Sequence, residues 1–254
     1  MVEKKIGKHL VQYYDTIDEL PIVRFHKYQK YLLIDSGIGG DIASFDARLE
    51  KMRRYMQEGN MENAAKELMN IRQNVYFIQQ GFNPKHHAFA TLVTKIDGKE
   101  YDAVTDNVID EICAVLSDVS VKEMAGLFES AKKKIDSELM LYFPNLFNDS
   151  EVKEYFDILK RRTVEILKGI IGGKRNPAHN ASVEKLNTKL ITYTNPKIFA
   201  GSDGVEVKFD REFENLCLVL SEQLHVKPKE YSVMEFYNAF DFIQGRAKQT
   251  QKRA

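Results

Sequence analysis

Apolar residues recur at helical spacing along most of this chain, and the breaks between those runs give the predicted elements. From Ile22, the positions Phe25, Tyr28, Gln29 and Leu32 follow a three-and-four rhythm, with Pro21 at a first helical position and Asp18 just upstream. Gly37 stops this helix and Asp41 caps the next, whose apolar face is Ile42, Phe45, Leu49, Met52 and Met56. Gly59-Asn60 ends that helix, and Met61 to Gln80 follows with Ala65, Leu68, Ile71, Val75 and Ile78 in register. The short turn between them predicts an antiparallel hairpin. Asn83-Pro84 opens a further helix, predicted to run through His86, His87, Phe89, Leu92, Val93 and Ile96 to Asp97-Gly98.

In the second half, Thr105 is placed to cap a stripe of Val108, Ile109, Ile112, Val115, Leu116 and Val119. Ser120 and Glu123 form a capping box, in which each side chain satisfies an orphan first-turn amide. The helix they open carries Met124, Leu127, Phe128, Ala131, Ile135 and Leu139 and closes at Pro144; Asp149 or Ser150 starts another. Gly172-Gly173 breaks the helical regime. From 172 to 209 the punctuation by Pro177, Pro196, Gly201 and Gly204, with alternating runs at 189–193 and 205–209, predicts an extended arm or β-ribbon. Asp210 then caps Phe213, Leu216, Cys217, Leu220 and Leu224, and the box Ser232 to Glu235 opens a last helix through Phe236, Phe240 and Ile243.

The predicted architecture is therefore mainly α, a multi-helix bundle with a small β-ribbon near 189–209. Its parts are a helical body over 1–171 with a flexible basic arm at Met1–His9, an assembly arm over 172–209, a C-terminal helix pair over 210–245 and a basic tail over 246–254.

Composition narrows the classes. The apolar content of 43 % supports a real core over 254 residues, and 37 basic residues balance 37 acidic ones. No global field then draws the chain to nucleic acid, although local patches can. Cys113 and Cys217 are expected as buried free thiols of a reducing compartment. No apolar run approaches a membrane span, and no signal-peptide core leads the chain, so a soluble protein made inside a cell is expected.

Candidate chemistry is sparse. Asp35-Ser36-Gly37-Ile38-Gly39-Gly40 superficially suggests a dinucleotide loop, but Ile42 stands where a third glycine is needed for helix–strand packing. Gly172-Gly173-Lys174-Arg175 lacks both the first glycine and the hydroxyl of a phosphate-binding loop. Glu222 and His225 have the spacing of one half of a di-iron site, with no second pair. His86 and His87, being adjacent, diverge on a helix and cannot chelate together. No catalytic residue, cofactor or metal is assigned, and a non-enzymatic role is expected. Tyr13, Tyr14, Phe25, Tyr28 and Tyr31, interleaved with Arg and Lys, have the composition of a protein-contact surface, and Leu190, Tyr193 and Phe199 of the arm join them as interface candidates. Arg246, Lys248, Lys252 and Arg253 are the candidates to face DNA.

The run TIDELPIVRFHKYQKYLLIDSGIGGDIASFD (Thr16 to Asp46), then NMENAAKELMNIRQNVYFI, NPKHHAFATLVTKIDGK and the closing LCLVLSEQLHVKPKEYSVMEFYNAFDFIQ, resembles helical virion proteins of tailed phages of gut Bacteroidetes, especially the crAss-like group. The resemblance covers roughly the first hundred residues and the last forty. It implies a virion protein, assembled in the host bacterial cytoplasm. It would be a ring in the head–tail connector or tail, built of identical copies, touching the portal and neighbouring ring proteins, with DNA passing through. The alternatives are a tail-assembly chaperone or scaffold, a nucleic-acid-binding regulator of the phage, and an enzyme using Glu222 and His225.

Overall fold

The computed structural model describes residues 1–147, 150–171, 177–193, 195–199 and 201–251. The chain is mainly helical with one small antiparallel sheet, as its periodicity predicts. The sheet, however, lies at the other end of the sequence. Strands β1 (Val2–Ile6) and β2 (His9–Tyr13) form a hairpin, to which β3 (Val93–Ile96) and β4 (Lys99–Glu100) are added in the order β1-β2-β3-β4. The predicted basic arm is thus strand β1, in register with β2 from Val2↔Tyr13 to Ile6↔His9. Its lysines point to solvent while Ile6, Val11, Tyr13, Val93 and Ile96 face the core. The two-residue turn Asp97-Gly98 has positive φ at both positions (49° and 89°), the geometry that matches strand twist.

Helix α1 (Ile22–Gly37) runs through the middle of the body: from Ile22 to Asp35 it has no fully exposed residue. It packs closely on α4 (Pro84–Leu92), which stops at Leu92 so that the next four residues become β3. α5 (Asp106–Val115) and α6 (Val121–Tyr142) complete that side, followed by the single turn α7 (Pro144–Phe147). α10 (Val205–Leu224) and α11 (Val233–Gln251) share the same core. Chain ends meet here: Ile22 N–H donates to the Tyr231 carbonyl, and Val233 and Met234 N–H donate to the carbonyls of Leu20 and Ile17.

Two helical hairpins flank this body. α2 (Ile42–Gln57) and α3 (Met61–Gln80) pack antiparallel, since Ser44 at the start of α2 meets Asn74 near the end of α3. α8 (Ser150–Ile171) packs on α9 (Pro177–Tyr193). Arg54 of α2 reaches Glu184 of α9 at 3.4 Å, and Asn70 of α3 donates to the Lys197 carbonyl.

The predicted ribbon at 189–209 is corrected. Residues 189–193 end helix α9, and 205–209 begin α10 with Gly204, not Asp210, at its N-cap. The alternation in VEVKF is only the first turn of an amphipathic helix whose Phe209, Phe213 and Leu216 face inward. Gly172 to Arg175, compared above with a phosphate-binding loop, lie outside the described residues. The capping expectations hold unevenly. Asp41 takes the Ser44 N–H and Ser232 with Glu235 forms a complete box. Ser120 accepts the Glu123 N–H, but the Glu123 carboxylate leaves the box to accept from Gly7 N–H of the β1–β2 turn.

Candidate assembly surface

The aromatic residues expected to present a contact surface do not present one. Tyr13, Phe25, Tyr28 and Tyr31 are core residues; Phe25 and Tyr28 are each 1 % exposed. The helix of Phe25, Tyr28 and Tyr31 has no fully exposed residue from Ile22 to Asp35, and its interleaved basic residues pair within the chain. Lys27 pairs with Asp106 at 2.6 Å, and Lys30 with Asp210 at 2.6 Å. Tyr14 is half-buried beneath the Arg24 guanidinium. Phe199 is buried too, its ring lying on Gly37 where any β-carbon would collide with it. Leu190 is half-buried, and Tyr193 is the last residue of α9. Among the DNA-facing candidates, Arg246 is exposed with its guanidinium 5.4 Å from the Phe242 ring centre. Lys248 lies within α11, and Lys252 and Arg253 are outside the described residues.

The surface that stands out was not read from the sequence. On α3 the side turned inward is half polar: beside buried Ala64, Ile71 and Phe77, Glu67 is fully buried and Asn74 and Asn70 nearly so. Arg48 Nη1 donates to Glu67 Oε2 at 3.1 Å, while its Nε and Nη2 donate to the carbonyls of Ile38 and Ser36 at 2.7 Å. Lys51 Nζ stands 3.3 Å from the other Glu67 oxygen. Burial depresses the Lys51 pKa, with Glu67 opposing that effect. Asn74 Nδ2 adds a bond to the Ile38 carbonyl at 3.0 Å. This network caps the C-terminal end of α1 and fixes the hairpin on the body.

The outward side of the same helix is apolar. Met61, Leu68, Met69 and Tyr76 are all about half exposed or more, Tyr76 at 55 %, with exposed Arg72 in their midst. They recur at i, i+7, i+8 and i+15, one continuous stripe. On α2, Ile42 and Met56 extend the apolar surface, Ile42 at 69 %. Further patches lie at the end of α6 (Met140, Leu141, Tyr142) and on α8 (Val164, Leu167, Ile170). Exposed apolar residues scattered singly are ordinary, whereas aligned stripes mark contact sites. The sequence did carry a signal: Met, Tyr and Arg are the residue types enriched at interfaces.

Comparison with family models, with curated proteins and with solved structures gives no match to this chain.

No group of three His, Cys, Asp or Glu is placed to hold a metal ion among the described residues. Glu222 is exposed and His225 is the left-handed cap of α10 (φ 53°). His86 and His87, expected to diverge, both border one cavity beside Cys113. His87 is buried and contacts the Asn83 carbonyl and Asp110, while His86 is half-buried, its pKa depressed mainly by burial. No described helix is long and apolar enough to cross a membrane.

Proposed function

We propose that this protein is a non-enzymatic assembly subunit that associates with copies of itself through the outward stripe of α3. On the strength of its resemblance to crAss-like phage virion proteins, the assembly is a ring of the head–tail connector or tail. The observation that carries this reading is the hairpin's division of residues, with the bonded Arg48, Glu67 and Asn74 buried within and a stripe of apolar and aromatic residues exposed without. Patches on α6 and α8 supply a second, different surface. Two unlike patches on one subunit are what a head-to-tail interface requires, and such an interface closes into a ring by rotation. In a ring that surrounds DNA, the basic C-terminal end containing Arg246 is the part proposed to meet phosphate.

Native mass spectrometry and negative-stain microscopy of the purified chain test this. Closed rings are expected, and Leu68→Glu with Tyr76→Glu should give monomers whose helicity is unchanged. A monomer at the highest soluble concentration, indistinguishable from that double variant, overturns the proposal. A defined complex with one other tail protein in place of a ring would assign the stripe to a tail-assembly chaperone.

A further inference from the structure

We propose that the aromatic cavity between α1, α10 and α11 is a binding site for an organic cation, a guanidinium or an alkylammonium group. The cavity encloses about 160 Å³. Its walls are two helix faces set opposite one another. α1 contributes Phe25, His26 and Gln29, and α10 contributes Phe209, Glu212 and Phe213, each set at i, i+3 or i+4 spacing. Phe236 and Tyr237 of α11 close the floor.

The rings are mutually angled as in a cage. Tyr237 stands at 86° to both Phe25 and Phe236, with centroids 6.3 and 5.6 Å apart. His26 is stacked between Phe209 and Phe213, at 4.6 and 4.1 Å. Phe25 and Phe236 are buried behind the cavity, and its accessible aromatic residues are Phe209, Phe213 and Tyr237 with His26, whose π-systems attract a cation and which a simple anion would avoid. The charge in the lining agrees. Glu212 is the one carboxylate there, it is exposed at the mouth, and no described residue pairs with it.

No lysine or arginine is in the lining, and the two positive groups beside the rings, Lys30 and His26, are already committed. Lys30 is bound to Asp210, and His26 Nε2–H donates to that same carboxylate at 2.9 Å. Burial holds the His26 pKa below its ordinary value, so the imidazole adds no competing charge at neutral pH. A cavity with aromatic walls, one free carboxylate and no lysine or arginine among its described lining residues recognises positive charge of modest size. That chemistry has two sources, a small free cation or an Arg or Lys side chain of another protein copy. The site is independent of the α3 stripe and of the ring reading.

The test is aromatic ¹H–¹³C NMR of the full chain titrated with N-acetyl-arginine methylamide and with tetramethylammonium. N-acetyl-citrulline methylamide serves as the uncharged isostere. Saturable shifts of the His26, Phe213 and Tyr237 ring signals are expected with the cations. Citrulline should bind at least about tenfold more weakly, the effect of losing one charge-assisted contact. Glu212→Gln should show the same loss. Glu212→Lys, which supplies its own cation, should abolish binding; both substitutions are at an exposed position and leave the core intact. Equal binding of citrulline and arginine, retained binding in Glu212→Lys, or no shift of these rings in the high millimolar range overturns the proposal. Dilution of the probe-free chain distinguishes the sources. Concentration-dependent shifts of the same rings that Glu212→Lys removes indicate a side chain from a sister copy, and constancy indicates a free cation.

Discussion

Replacing Arg24 should destabilise this fold more than any other single polar substitution. Its guanidinium is 4 % exposed and makes no hydrogen bond to a carboxylate among the described residues. Four backbone carbonyls surround it: Thr91 at 3.0 Å and Val93 at 2.9 Å from Nη1, with Tyr101 and Asp102 bonded to Nη2. Thr91 sits at the C-terminal end of α4, where the helix dipole favours a cation. Arg24 therefore ties the end of α4 to β3 and to the segment after β4. Burial depresses its pKa, which starts from a value high enough to keep the group charged. Arg24→Met leaves the apolar stem in place but strands those carbonyls. At about 1 kcal/mol for each buried acceptor left unpaired, the low end of the range, the loss is about 4 kcal/mol. In a chain of this size that lowers the melting temperature by about 8–16 °C. Arg24→Lys keeps the charge but gathers its donors on one atom, so about half of the loss is expected. Thermal and urea unfolding followed by circular dichroism measure both. A Met variant melting within about 2 °C of the parent would refute the account, because the carbonyls would then have other partners.

Other expectations follow from the same contacts. Both ring nitrogens of His9 face carboxylates, Asp97 at 2.6 Å and Asp118 at 3.1 Å, which raises its pKa, chiefly through the Asp97 bond. A raised folded-state pKa gives stability fully present below the ordinary histidine value of about 6.5 and lost as pH climbs through the raised value. His9→Gln should therefore flatten the melting temperature against pH in that window, and an unchanged slope would count against the clamp. Burial pushes the Cys113 thiol up to about 12 and raises that of Cys217, so both should resist iodoacetamide at neutral pH until the protein is unfolded. Gly40→Ala would press a β-carbon to 2.8 Å from the Phe82 carbonyl and should cost about 1–3 kcal/mol in urea unfolding. Gly126→Ala, in open space within α6, should stabilise by about 1 kcal/mol, and the two together separate steric from propensity effects.

Much of this architecture was legible in the residues. The hairpin of α2 and α3, the stop at Gly37, the start at Asp41 and the box at Ser232 follow from spacing and capping chemistry that act locally. The misreadings share a cause, since each depended on a partner distant in sequence. Leu92 to Ile96 fits a helix or a strand equally, and pairing of Val11 with Ile96 decides for the strand. Val2 to Ile6 reads as a charged arm until β2 is placed beside it. The aromatic content of α1 was attributed to a surface because its basic neighbours suggested solvent. Asp106, Asp210 and four carbonyls, all remote in sequence, allow those bases to be enclosed.

The face of α3 was misassigned in part, and the functional reading rests on the part that differs. Periodicity expected Ala65, Leu68, Ile71, Val75 and Ile78 inside; Ile71 is buried and Val75 half-buried, yet Glu67, Asn70 and Asn74 share the inner face and Leu68 is 49 % exposed. A helix gains nothing by this arrangement alone, since it leaves apolar area in water and buries an ion pair whose desolvation nearly cancels its attraction. Covering the exposed parts of Met61, Leu68, Met69 and Tyr76 would recover about 1 kcal/mol each, half of a full burial, or about 4 kcal/mol. Association costs at least that much in lost freedom. The stripe alone thus breaks even, and stable contact needs a second patch engaged at the same time, for which the end of α6 and the face of α8 are available. Assembly should then be all-or-none. Leu141→Glu, far from α3 in sequence, should abolish oligomers as completely as Leu68→Glu with Tyr76→Glu does, and each should leave the melting temperature of the monomer unchanged. A graded loss in sedimentation velocity, with Leu141→Glu still assembling at the parent's concentration, would show that the stripe acts by itself and that the two-patch contact is wrong.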